Sequence, residues 1–295
     1  PTAEEKAAME KEPAYGKPVV YMMSDGCTSG PTVADDLKYY TEAGLTADGL
    51  KGMSVVEALG TGKATVAVNH IATMLVPITN GVDMTFVGGA HIGCKTTEDL
   101  KGTNISVPNG IGNADYNITC MMLDADGINP QTDVTLMQVT ADACVSAMER
   151  GEISACLLSD SFAYAMVKDG KLRAIRSLLD EDFAHNNCCV IAMNRTYVEQ
   201  NPVHAKKIIQ AVQKAHSFMR ENTAEATQYL LDRGWNAGDF DMNVMLNGSM
   251  QFGTTDAFTQ ASLKQIVDNY LRLGLIQSMN NADEIMALAW RPVLD

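Results

Sequence analysis

The sequence predicts an α/β protein built as two similar lobes. Three observations carry this. Short apolar runs alternate with helical stretches across Gly-rich loops, the grammar of α/β lobes with mainly parallel sheets. A strand–loop–helix pattern occurs twice, with Gly62 and Gly151 as matching stops 89 residues apart. After about residue 195 the chain reads as helix only, in NPVHAKKIIQAVQKAHSFMRENTAEATQYLLDRG and again in FTQASLKQIVDNYLRLG.

The elements follow in order. Residues 1–16, opening PTAEEKAAMEKEP, are polar and read as a flexible, solvated leader, or as the tether of a domain hung from a membrane anchor. They lack the apolar stretch of a signal peptide, as a mature chain would. Val19 to Met23 is a short strand ending in the turn-rich SDGCTSGP. Pro31 suits the first turn of a helix that runs through VADDLKYYTEA to Gly44. In the first repeat, Ala58–Gly62 precedes the buried strand KATVAV, then NH, then the helix IATMLVPITNG. Asn104 to Val107 is a strand, PNGIGNAD a loop, and YNITCMMLDA a helix stopped by Gly127. In the second repeat, Ala147–Gly151 precedes the strand EISACLL, the loop SDS and the helix FAYAMVKDG. The strands are continuous apolar runs, as when both faces of a sheet are covered.

Composition excludes some functions. The chain is 46% hydrophobic and 20% charged, enough for a sizeable core. A net charge of -14 repels phosphate backbones, so nucleic acid is not a partner. No apolar run reaches the roughly 18 residues of a membrane-spanning helix. The seven Cys, at 27, 94, 120, 144, 156, 188 and 189, are odd in number and form no CxxC. They read as free thiols rather than a disulfide framework, and adjacent residues such as Cys188 and Cys189 rarely bridge.

Ligands of open α/β sheets sit beyond the carboxyl ends of the strands, where helices begin. Four polar loops occupy that place: Ser24–Gly30, Asn69–His70, Asn109–Asp115 and Ser159–Ser161. Helix N-termini there offer free N–H groups. The candidate ligand-binding residues are Asp25, Cys27, Thr28, Asn69, His70, Gly112, Asn113, Ser159 and Asp160, with Asn186 and Asn187 beside them. Each has a plainer role. Ser159 and Asp160 are suited to capping a helix, Gly110 and Gly112 to a turn of positive φ, and His70 to a structural hydrogen bond. Cys27, before a helix, sits where a thiol pKa is lowered, but no base is paired with it in sequence.

Enzyme signatures fail. In GTGKAT the Lys is followed by Ala, so it is no phosphate loop; GIGNAD lacks the third glycine of a dinucleotide fingerprint; GxSxG and HExxH are absent. His70, His91 and His185 have no close His partner in sequence, so no metal and no cofactor is assigned.

The series EALGTGKATVAVNHIATMLVPITNGVDMTFVGG, TTEDLKGTNISVPNGIGNADYN and DADGINPQTDVTLMQVTADACVSAMERGEISACLLSDSFA resembles the solute-binding proteins of ABC importers for nitrate, sulfonates, taurine, bicarbonate and thiamine-pyrimidine precursors. The likeness covers roughly residues 17–200. It implies a type II periplasmic-binding-protein fold: two lobes, a hinge of two crossovers near Gly89–Lys95 and His185–Cys189, and an interlobe cleft that closes on ligand. Lobe 1 would be 17–94 plus 187–295, and lobe 2 95–186. The implied partners are a small-molecule ligand and an ABC permease, and the chain a monomer outside the cytoplasm. Where many members carry a Trp-Glu-Pro-like segment, this chain has Ser159-Asp160-Ser161, and its Trp residues, 235 and 290, lie far downstream. The four loops contain no Arg or Lys, whereas Asp25, Asp115 and Asp160 point to a donor-rich ligand. Two alternatives are an enzyme on the same fold, of thiamine-pyrimidine or menaquinone-pathway type, and a receptor's sensor domain. The synthases carry a cysteine-rich stretch, faintly echoed by His185-Asn-Asn-Cys-Cys189.

Overall fold

A computed structural model describes residues 1–91 and 100–294. In chain order the strands are β1 (Val19–Met22), β2 (Ala47–Leu50), β3 (Val66–His70), β4 (Met84–His91), β5 (Asn104–Ser106), β6 (Thr135–Met137), β7 (Ala155–Cys156) and β8 (Cys189–Asn194). They form a five-stranded sheet, β2-β1-β3-β8-β4, and a three-stranded sheet, β6-β5-β7. The small sheet is parallel throughout, and β1 is parallel to both β2 and β3. The large sheet departs from the parallel expectation at β8, which runs antiparallel to both β3 and β4. The reason is topological. The chain returns from the small sheet at the carboxyl edge of β3, so β8 enters the large sheet from that end. All six β8 residues, Cys-Val-Ile-Ala-Met-Asn, are buried, the pattern of a central strand covered on both faces.

The helices are α1 (Ala3–Met9), α2 (Gly30–Asp36), α3 (Tyr39–Glu42), α4 (Val55–Gly60), α5 (Ile71–Thr79), α6 (Ala114–Ala125), α7 (Ala141–Glu149), α8 (Asp160–Lys168), α9 (Arg195–Gln200), α10 (Pro202–Glu221), α11 (Thr223–Asp232), α12 (Phe240–Ser249), α13 (Asp256–Arg272) and α14 (Ala282–Ala289). The helix-only tail after residue 195 is borne out, apart from a bridge between Trp290 and Phe86. On one face of the large sheet, Leu59, Ile71, Leu75, Ile266 and Tyr270 cover Met84 and Phe86. On the other, Ile208, Ile209 and Val212 of α10 cover Val66, Val68 and Ile191. Pro202 starts α10, and Ala205, Ile208, Ile209, Val212, Ala215 and Met219 form its buried stripe at helical spacing.

Two elements differ from expectation. The helix expected from Pro31 to Gly44 breaks between α2 and α3, where Lys38 adopts the left-handed φ of 64°. The break lets Tyr40 stack on Tyr21 in the core, with ring centroids 6.0 Å apart. The solvated leader is instead helical and docked. Thr2 and Glu5 make a capping box on α1, and Met9 and Ala14 are buried. Glu12 sits at the start of α10, where its carboxylate accepts from Val203 N at 2.5 Å and His204 N at 2.8 Å and contacts the His204 ring. A helix N-terminus favours such an anion. Ala14 N donates to Asn201 Oδ1 at 2.6 Å, and Lys207 Nζ to Glu5 Oε1 at 2.7 Å.

The small sheet owns little core: Leu100, Ile105, Leu123, Ile128 and Ala155 form one patch, Cys144, Ala147 and Ile153 another. Its helix α6 turns Ile118, Met121 and Met122 into the core of the large sheet.

Candidate functional site

The carboxyl edge of the large sheet gathers most of the predicted residues. After β1, Ser24–Gly30 folds as a tight polar loop. Ser24 N donates to Thr32 Oγ1 at 3.2 Å, Ser24 Oγ to Thr28 O at 2.7 Å, and Thr28 Oγ1 to Asp25 O at 2.9 Å. The Thr28 hydroxyl is thus used within the loop, whereas Asp25 is exposed and makes no side-chain cap. Gly26, with φ 52°, donates from its N to Trp235 O at 3.1 Å. The fold therefore brings the distant Trp235 segment beside this loop, while Trp290 is buried in the core.

Asn69 and His70, expected in a loop, are the last residues of β3. His70 opposes Cys189 in the β3–β8 ladder, and opposed residues share a face. His70 Nδ1 lies 3.4 Å from Cys189 Sγ and 3.2 Å from Cys188 Sγ, and the two sulfurs are 3.8 Å apart. Cys27 joins them: ligand atoms of Cys27, His70 and Cys189 all lie within 4.8 Å of one another. Burial, reinforced by the Cys188 and Cys27 thiols, holds the Cys189 thiol well above its ordinary pKa. No disulfide joins the described cysteines; Cys94 lies outside the described residues. Cys188 and Cys189 were missed as site residues. Their one signal was the adjacent pair at the return crossover. No metal-binding partner of His70 is close in sequence, because none of its neighbours here is a His and Cys188 and Cys189 lie 118 and 119 residues away.

Asn186 and Asn187 stand on that return crossover, both buried. Asn187 N donates to Ser262 Oγ at 2.7 Å, and its Nδ2 to Thr254 Oγ1 at 2.8 Å. The side-chain oxygens of both asparagines have no donor among the described residues. Asn186, Asn187, Cys188, Ile71 and Ala72 line a cavity of about 30 Å³, room for about one water-sized group. Gln213 Nε2 donates to Gly89 O at 3.2 Å within β4, where the outbound crossover was expected to begin; residues 92–95 lie outside the described residues.

From the small sheet, α6 packs against α5, the helix that follows β3. Asn113 N-caps α6 by position, but its Nδ2 donates to Asn109 O at 2.6 Å, and Asp115 Oδ2 accepts from Asn109 N at 2.6 Å. Gly110 and Gly112 have φ of 90° and 85°, the turn role open to them. Gly112, Tyr116, Asn117, Val76, Gln131 and Leu275 line a cavity of about 450 Å³. Asn117 Nδ2 donates to Ala72 O at 2.9 Å, joining α6 to α5. Ser159 belongs to the small-sheet side, after β7. It is exposed at the N-cap of α8 without making a side-chain cap bond, and α8 packs on α12. The Asp160 backbone opens α8.

Two sheets, a chain crossing between them, and helix N-termini at the carboxyl edge define the periplasmic-binding-protein fold, and the α/β reading is borne out. The chain belongs to the NMT1/THI5-like family, whose model matches residues 28–226. It is similar to the aliphatic sulphonate binding protein SsuA of Escherichia coli, with a TM-score of 0.70 and 16% identity over 92% of this chain and 91% of that one. SsuA of Xanthomonas axonopodis pv. citri, an alkanesulfonate-binding protein bound to MOPS, gives 0.68 and 14% over 92% and 96%. The nitrate-binding NrtA of Synechocystis PCC 6803 gives 0.65 and 14% over 93% and 86%. No curated protein matches. The likeness to nitrate and sulfonate binders read from the sequence is thus borne out.

Proposed function

We propose that this chain is an extracytoplasmic solute-binding protein that delivers a small polar solute to an ABC permease. In this reading residues 17–94 and 187–295 form one lobe, 95–186 the other, and solute closes the cleft between them. The observation that carries it is the double crossing between two sheets, with α6 and the ends of β1 and β3 converging at one edge. The chain works by binding and performs no chemistry. The loops bring no Arg or Lys, whereas Asp25 is exposed there; the Asn186 and Asn187 oxygens are served by a cavity with room for about one water. The solute is therefore rich in N–H or O–H groups. A second reading, an enzyme on the same fold, is favoured only by the thiol–imidazole cluster.

A thermal-shift panel of nitrate, taurine, sulfonates, amines, polyols and pyrimidines tests this. A ligand at about 100 times its Kd adds roughly 2.7 kcal/mol of stability. A hit recovered chemically unchanged supports binding, and a hit recovered as product replaces it with the enzyme. Silence across the panel, with no small molecule released on denaturation, counts against both.

A further inference from the structure

We propose that Cys27, His70, Cys188 and Cys189 form a site for a thiophilic d¹⁰ cation, of which Zn²⁺ is the probe. The donors come from three separate segments: the β1–α2 loop, the end of β3 and the entry from the return crossover into β8. A tetrahedral zinc with bonds of about 2.3 Å to sulfur and about 2.05 Å to nitrogen sets edges of about 3.8 Å between sulfurs and about 3.6 Å between sulfur and nitrogen. The cluster holds 3.8 Å between the Cys188 and Cys189 sulfurs, and 3.2 and 3.4 Å from these to His70 Nδ1. Cys27 supplies the fourth corner, within 4.8 Å of the His70 and Cys189 ligand atoms. Small shifts of one partly exposed thiol close the set.

The donor chemistry selects the ion. Thiols and imidazole suit zinc or monovalent copper and disfavour magnesium and calcium, which take oxygen ligands. Access is available, since Cys27, Cys188 and His70 are partly exposed and only Cys189 is buried. The supporting shell is in place. Ile71 N donates to Cys188 O at 3.1 Å, Asn187 Nδ2 to Cys189 O at 3.3 Å, and His70 N to Asn69 Oδ1 at 2.8 Å. A disulfide between the neighbours is the competing use of these sulfurs. Consecutive Cα atoms are only about 3.8 Å apart, below the roughly 4.4–6.8 Å that disulfides span. The site stands on this geometry whether or not the chain delivers a solute.

The test uses the whole chain, reduced and stripped with a chelator. Titration with Co²⁺ alone should give one equivalent of tetrahedral cobalt with thiolate-to-metal charge-transfer absorbance, displaced by Zn²⁺. His70→Ala and the Cys27→Ser/Cys188→Ser double variant should weaken binding by more than the roughly 10–100-fold typical of changes outside the ligand shell. Cys156→Ser, away from the cluster, should leave it unchanged, and circular dichroism reports whether each variant folds. Absence of the charge-transfer band in folded wild type overturns the proposal, as does its persistence in the folded double variant. A disulfide outcome is equally decisive: isolation of the native protein with Cys27 paired to Cys188 or Cys189, and no metal uptake after reduction, replaces the metal site by a redox pair. A silent solute panel with intact cobalt binding would defeat the transport reading and leave this one standing.

Discussion

Gly89, in β4, is packed tightly against Asn187 of the return crossover and against Thr254 and Thr259. A methyl group built there falls inside contact distance of Thr254 Oγ1 and Thr259 Oγ1, and 3.0 Å from Asn187 Nδ2. Its φ is not left-handed, so space alone requires glycine. The neighbours are not free to swing aside. Thr254 accepts from Asn187 at 2.8 Å and lies 3.2 Å from Thr259. Overpacking costs about 1–3 kcal/mol, and each displaced hydrogen bond about 1 kcal/mol more. Gly89→Ala should therefore lose about 2–5 kcal/mol. At roughly 2–4 °C per kcal/mol for a chain of this size, Tm should fall by about 4–20 °C. Thermal unfolding followed by circular dichroism measures it. Thr254→Ala removes the first obstacle, so the double variant should be less destabilised than the sum by about 0.5–3 kcal/mol. A Gly89→Ala protein within about 1 °C of wild type, or strict additivity with Thr254→Ala, would refute the packing argument.

Four further perturbations follow from contacts elsewhere in the structure. The Lys207 ammonium holds the Glu5 carboxyl down at about 2, against 4.5 for an unperturbed one. Leader docking should thus be intact above pH 4.5 and weaken as pH falls toward 2; equal protease resistance of residues 1–16 at about pH 3 and about pH 6 would contradict this. Asn117→Ala removes the α6–α5 bond to Ala72 O and should destabilise by about 1 kcal/mol. Arg272→Ala breaks only a half-exposed pair with Asp124 and should change stability by less than about 1 kcal/mol; a denaturant series ranks the two. Alkylation near neutral pH should label Cys27 and Cys188 before Cys189 and Cys120, since burial pushes Cys120 to about 11 and Cys189 well above its ordinary range; peptide mapping that finds Cys120 modified first would be inconsistent with this burial.

Much of the fold was legible because it is local. The apolar run at Val19, Pro31 at a helix start, Gly127 after α6 and the stripe of α10 each state their element within a few residues. What sequence could not carry was contact across the chain. The direction of β8 depends on where the chain returns from the small sheet, which no property of Cys-Val-Ile-Ala-Met-Asn reveals. The leader looked solvated because its polar residues have partners far downstream: Glu12 reaches Val203 and His204, and Glu5 reaches Lys207. The site divides the same way. Strand ends and helix starts marked the β1–α2 loop and His70, but Cys27 and His70 acquire their chemical meaning only from Cys188 and Cys189. Such a set is assembled by sheet register and leaves no spacing motif.

The proposed closure has to reckon with α6. Its residues Ile118, Met121 and Met122 are no more than 9% exposed and share a core with Ile71, Ile266 and Tyr270 of the large-sheet body. Pulling all three into water would cost about 1.5–3 kcal/mol each. A ligand at about 100 times its Kd returns only about 2.7 kcal/mol. A hinge that unseated α6 would therefore leave an open form too rare to load solute at ordinary concentrations. The motion that remains affordable keeps the buried face of α6 in place and moves what surrounds its N-terminus: the loop at Asn109–Asn113, where Ile111 is 71% exposed, and the α7 and α8 side of the small sheet. Hydrogen exchange separates the two. Amides of 118–123 should be protected like those of β8, in the presence and absence of solute, while residues 109–113 and the start of α8 exchange faster and slow on ligand addition. Fast exchange through 118–123 in the unliganded protein would show that α6 leaves its seat and that the apolar contact is part of the hinge's working stroke.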